Sequence, residues 1–112
     1  MPFEKICSLD DVWEGDMDSF ETANGCEVLI VCLSGGKIKA FQGICPHQQQ
    51  ALVEGTFENG TLTCKAHLWQ FDCNTGKGVN PDDCHIAEYP VKIIGEEVHV
   101  DVFGIKPFQS HT

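Results

Sequence analysis

No stretch of this chain repeats its apolar residues at the helical period, and that restricts it to folds built from strands. Short β-rich segments lie between glycine turns at Asn24-Gly25, Gly35-Gly36, Asn59-Gly60 and Thr75-Gly76. Val28 to Leu33 reads as a buried strand. Lys37-Ile38-Lys39-Ala40-Phe41 alternates polar with apolar, and a glycine turn joins it to the preceding run as a hairpin. Thr56-Phe57-Glu58 and Thr61-Leu62-Thr63 flank a second turn, and Pro90 to Ile94 and Glu97 to Val102 flank a third at Gly95-Glu96. The pattern predicts an all-β domain with at least three hairpins. Gly43 to Ala51 and the stretch after Ala66 do not fit it. Compact domains rarely carry long irregular excursions without a reason, and a metal centre would supply one.

At 112 residues the chain has room for one core. It carries 17 acidic and 7 basic residues, all lysine, for a formal net charge of -10. A nucleic-acid binder needs a basic footprint, which this chain lacks. The acidity suits transient docking to basic partners. The longest apolar run is far below the ~20 residues that span a bilayer, so no membrane association is expected. The start, Met1-Pro2-Phe3-Glu4-Lys5-Ile6-Cys7, has neither a basic nor an apolar signal region. A cytoplasmic setting is therefore expected, where cysteines are free, catalytic or metal-bound. The count of seven is odd, so internal disulfides cannot pair them all.

Cys45-Pro46-His47 is a Cys-x-His pair and Cys64-Lys65-Ala66-His67 a Cys-x-x-His pair. Each sits at a turn, and a tight turn lets ligands two or three residues apart converge on one centre. Two thiolates and two imidazoles suit either tetrahedral zinc or an iron–sulfur cluster, and spacing alone leaves both open. Cys7, Cys26, Cys32, Cys73 and Cys84 have no ligand partner at suitable spacing, and Cys32 reads as a small buried hydrophobe. His85, His99 and His111 read as strand or surface histidines, with His99 on a solvent face between Val98 and Val100. Trp13 reads as a core or edge aromatic, and the run Asp10, Asp11, Glu14, Asp16, Asp18 as a solvated loop able to dock a basic partner. No catalytic triad and no phosphate-binding glycine loop stands out, so no catalytic residue is assigned.

The stretch from Cys45 through Gly55, then Cys64-Lys65-Ala66-His67-Leu68-Trp69-Gln70-Phe71-Asp72, Asn74-Thr75-Gly76 and Tyr89-Pro90-Val91, resembles Rieske-type ferredoxins over nearly the whole chain. Phe3 to Asp11, Ala66 to Trp69 and Asn80-Pro81-Asp82-Asp83-Cys84 are similar, more narrowly, to the ferredoxin components of bacterial multicomponent toluene monooxygenases. The resemblance implies one [2Fe–2S] cluster, with Cys45 and Cys64 on one iron and His47 and His67 on the other. Neutral imidazoles donate less charge than thiolates, so the added electron should favour the histidine-bound iron. Pro46, Gln48, Leu68 and Trp69, beside the ligands, are expected to shield the cluster or line the electron's exit.

The implied fold is a Rieske-type antiparallel β-sandwich over residues 1–112. A base subdomain, 1–42 and 73–112, would support a small cluster-binding subdomain, 43–72. The implied function is electron carriage, not catalysis: single electrons would pass from an NADH-dependent flavin and iron–sulfur reductase to the diiron hydroxylase of an aromatic-hydrocarbon monooxygenase, with the carrier a monomer. A ferredoxin of a ring-hydroxylating dioxygenase and a zinc-binding adaptor are the alternatives. Rieske proteins of respiratory complexes clamp their cluster loops with a disulfide; Gln48, Gln49, Gln50, Lys65 and Ala66 offer no such pair here. Hydroxyl donors to the cluster sulfurs also lack obvious counterparts. The expected potential is therefore at the low end of the Rieske range, about -150 mV.

Overall fold

The computed structural model describes residues 3–23, 25–44, 51–58, 60–64, 70–80 and 86–102. Among them, eleven strands form three antiparallel sheets. The strands are β1 (Glu4–Ser8), β2 (Met17–Glu21), β3 (Glu27–Leu33), β4 (Lys37–Gln42), β5 (Thr56–Glu58), β6 (Thr61–Thr63), β7 (Gln70–Asp72), β8 (Gly78–Asn80), β9 (Glu88–Tyr89), β10 (Val91–Ile94) and β11 (Glu97–Val100). Two short 3-10 turns, Leu9–Asp11 and Leu52–Glu54, complete the regular structure. Among the described residues no helix is long and apolar enough to cross a membrane.

The sheets have orders β1-β11-β10, β2-β3-β4-β9 and β5-β6-β7-β8. The second is the middle layer, and β3 explains why. Leu29, Val31 and Leu33 point to one side and pack with Phe41, Leu52, Leu62, Phe71 and Ile86. Val28, Ile30 and Cys32 point to the other and pack with Cys7, Ala40, Tyr89, Val98 and Val100. Successive residues of a strand face opposite sides. A strand buried on both faces therefore reads as an unbroken apolar run rather than an alternating one. All six residues from Val28 to Leu33 are buried.

The three expected hairpins form, as β3 with β4, β5 with β6, and β10 with β11. At Gly35 and Gly36, φ is +88° and +83°, values that favour glycine in the tight turn between β3 and β4. The sheet that contains β6 and β7 is completed by β8. The N-terminal acidic run is more ordered than a solvated loop. Ser8 caps the first 3-10 turn, its side chain accepting from the Asp10 amide while the Asp11 carboxylate accepts from the Ser8 amide at 2.8 Å.

Candidate metal centre

Strand β4 leads directly to the first cysteine–histidine pair. Beyond Gln42 the chain reaches Gly43 and Ile44, and it returns at Ala51 and Leu52. Ile44 and Ala51 form an antiparallel bridge, and the Leu52 amide donates to the Gly43 carbonyl at 2.8 Å. The residues flanking 45–50 are thus joined to each other. They are also pressed onto β3: the Gly43 amide donates to the Glu27 carbonyl at 3.1 Å. A Cβ at Gly43 would lie 2.5 Å from Glu27 Cγ and 3.0 Å from the Glu27 backbone, so only glycine fits this approach.

The residues flanking the second pair are joined too. Thr63 pairs with Gln70 across β6 and β7, and the Gln70 amide group donates to Thr63 Oγ1 at 3.4 Å. Cys64, which follows Thr63, is fully buried. It shares one apolar cluster with Leu62 beside it and with Leu52, the residue that follows the first loop. Residues flanking the first and the second cysteine–histidine pair therefore share one core.

Of the residues expected at the site, Cys64 is the one the structure describes. Cys45, His47 and His67 lie outside the described residues, as do Pro46, Gln48, Leu68 and Trp69. Among the described residues no three His, Cys, Asp or Glu side chains converge to hold a metal. A buried thiol in a core shared by residues flanking both pairs fits one sulfur position of an iron–sulfur cluster.

The other cysteines behave differently. Burial pushes the Cys73 thiol up to about 12, with Asp72 adding to the rise, and the Cys7 thiol up to about 11, with Asp11 and Asp18 adding. Burial raises Cys32 too, and it is 4% exposed, as expected of a small hydrophobe. Cys26 is half-buried, and its Sγ lies 4.0 Å from the Glu27 carbonyl. Cys84, His85 and His111 lie outside the described residues. His99 points away from the core that Val98 and Val100 enter, and its ring sits 3.1 Å from Glu97 Oε1. That contact and Lys5 hold the Glu97 carboxyl below its usual range.

Trp13 is not a core residue. It is 69% exposed, and its indole N–H donates to the Asp10 carbonyl at 3.0 Å. The Glu14 carboxylate accepts from the Gly35 amide in the β3–β4 turn. The acidic run is thereby fastened to the end of β4 opposite Gly43 and Ile44, roughly 20 Å from the loop feet at ~3.3 Å per residue.

Sequence reasoning missed Gln42. It is 1% exposed, and its carboxamide joins the Ile44 carbonyl to the Ala87 amide. A polar residue closing an otherwise alternating strand was the available signal.

The fold defines a small all-β domain in which residues flanking both cysteine–histidine pairs share one core. The family described as the Rieske [2Fe-2S] domain matches residues 3–90, and the chain belongs to it. The ferredoxin component of the alkene monooxygenase system of Xanthobacter autotrophicus is 45% identical over 103 residues, covering 91% of this chain and 80% of its own. The biphenyl 2,3-dioxygenase ferredoxin component of Rhodococcus jostii is 37% identical over 105 residues, covering 93% and 96%. Among solved structures, the ferredoxin of carbazole 1,9a-dioxygenase from Nocardioides aromaticivorans superposes with a TM-score of 0.79. It is 26% identical and covers 90% of this chain and 98% of its own. The cofactor is a Rieske-type [2Fe–2S] cluster, which sets aside tetrahedral zinc, and the chain is an electron carrier of an oxygenase system rather than an enzyme.

Proposed function

We propose that this chain carries single electrons from an NADH-dependent flavin reductase to the diiron hydroxylase of a monooxygenase that oxidises aromatic hydrocarbons of the toluene type. The observation that carries this reading is the 45% identity, across 91% of the chain, to a monooxygenase ferredoxin component. The ligands are Cys45 and Cys64 on one iron and His47 and His67 on the other. What supports them is the pairing of the residues that flank them, Ile44 with Ala51 and Thr63 with Gln70, and the burial of Cys64 in one apolar cluster with Leu52. When bound, the cluster supplies one-electron chemistry with no substrate of its own.

The chain's own residues hold and shield it. Leu52 and Leu62, both fully buried, exclude water beneath the loops. Pro46, Gln48, Leu68 and Trp69 cover the cluster or line the exit at the loop tips. The cluster-binding unit runs from 43 to 72 and rests on the base formed by 1–42 and 73–112. The protein works as a cytoplasmic monomer. Its contact with each partner is small, under ~1,200 Å², because a carrier must dissociate.

Reconstitution tests this reading. The purified holoprotein is combined with an NADH-dependent reductase and, in separate assays, with a diiron hydroxylase or a ring-hydroxylating dioxygenase. NADH-dependent product from the hydroxylase, with none from the dioxygenase, is the expected result. The reverse would establish the dioxygenase reading, which the 37% identity to the biphenyl dioxygenase ferredoxin favours.

A further inference from the structure

We propose that Gln42 is a positioning residue for the first cluster loop, fixing the point at which the chain enters Cys45. It is the last residue of β4 and is 1% exposed. A buried carboxamide is costly unless its donor and acceptor are both paired. Here both are used. Its Nε2 donates to the Ile44 carbonyl at 2.8 Å, and its Oε1 accepts from the Ala87 amide at 2.7 Å. Its own backbone amide donates to the Ala87 carbonyl at 2.9 Å.

One side chain thus ties two segments together. Ile44 is the residue before Cys45, and its carbonyl belongs to the peptide unit that Cys45 begins. Ala87 follows the 81–85 segment and is itself anchored through Ile86, whose amide donates to the Gly76 carbonyl at 2.8 Å. The bridge from Ile44 to Ala51 holds the two ends of the loop against each other. It does not fix the pair against the rest of the molecule. Gly43 on Glu27 provides one such tether, and Gln42 on Ala87 provides the other. With both, the peptide before Cys45 has no freedom to pivot. A leucine or methionine would fill the same volume but would leave the Ile44 carbonyl and the Ala87 amide without these partners.

The inference rests on the reading that Cys45 and His47 hold the cluster. Two variants of the holoprotein test it. Gln42→Met keeps the size and removes both donor and acceptor. Gln42→Glu, assayed at a pH high enough to ionise this buried carboxyl, keeps the acceptor for Ala87 and removes the donor to Ile44. Two quantities are followed: iron release to an excess of chelator, and the EPR spectrum of the reduced protein. Both variants are expected to release iron at least tenfold faster than the parent. Both should also shift or broaden the EPR lines, which a residue that merely fills the core would leave in place. Release within twofold of the parent and an unchanged spectrum in both variants would overturn the proposal. So would an effect in Gln42→Met alone, because the bond to Ile44 would then be dispensable. If Gln42→Met does not fold, Gln42→Glu decides. Failure of the ligand reading is separately visible, because the parent protein's own reduced spectrum would then lack nitrogen coupling.

Discussion

Burial raises the cost of a thiolate at buried cysteines away from the candidate site. Cys73 and Cys7 are enclosed by apolar neighbours, and nearby carboxylates add to the cost of a thiolate there. Their thiols titrate near 12 and 11 in the folded protein, against an ordinary value of 9.0. The folded chain therefore keeps protons that the unfolded chain sheds as pH rises above 9. Stability from these groups is complete below pH 9 and is lost as pH climbs through 11 and 12. Calorimetric midpoints should fall across that window, and they should fall less steeply in Cys73→Ala than in the parent. Parallel slopes would remove Cys73 from the account. Cys32 was legible from its place in an apolar run. Trp13 was not, because nothing local distinguishes an indole that covers a core from one pinned on the surface by a carbonyl. Gln42 was hidden for a related reason: its partners, Ile44 and Ala87, meet only once β4 and the chain before β9 lie side by side.

At the scale of elements, β3 has the largest consequences, since it supplies side chains to both apolar clusters. Leu29→Ala empties space on the side facing the cluster loops, and should cost about 2–5 kcal/mol in denaturant unfolding. A loss under ~1 kcal/mol would mean the layer can collapse around the gap. Strands β3 and β4 and the hairpins at Asn59-Gly60 and Gly95-Glu96 were readable because a glycine turn and a strand pattern coincide locally. Strands β1, β2, β7, β8 and β9 were not. The two residues of β9 are a strand only through pairing with Ala40 and Phe41. The loop feet were equally opaque. That Gly43 must be glycine follows from Glu27, sixteen residues earlier, and not from any turn at Gly43 itself.

Across the whole molecule, a charge of -10 draws basic partners over a range of about one Debye length, which is longest at low ionic strength. Electron delivery in the reconstituted system should slow as salt rises from about 20 to 300 mM, where the Debye length shrinks from roughly 20 Å to under 10 Å. A rate indifferent to salt would show that steering plays no part. The acidic run at Asp10 to Asp18 lies at the far end of β4, so its charge acts through this long-range field and not as the electron's doorway. The two cysteine–histidine pairs mark a candidate site in the sequence. That residues flanking them share one core is not readable there, because Leu52 meets Leu62 and Cys64 only through tertiary packing. The account stands on mixed ligation by Cys45, Cys64, His47 and His67. Pulsed EPR of the dithionite-reduced holoprotein tests this most directly: two histidine nitrogens should couple to the unpaired electron, and His47→Cys should leave one. A spectrum from the parent with no nitrogen coupling would contradict it.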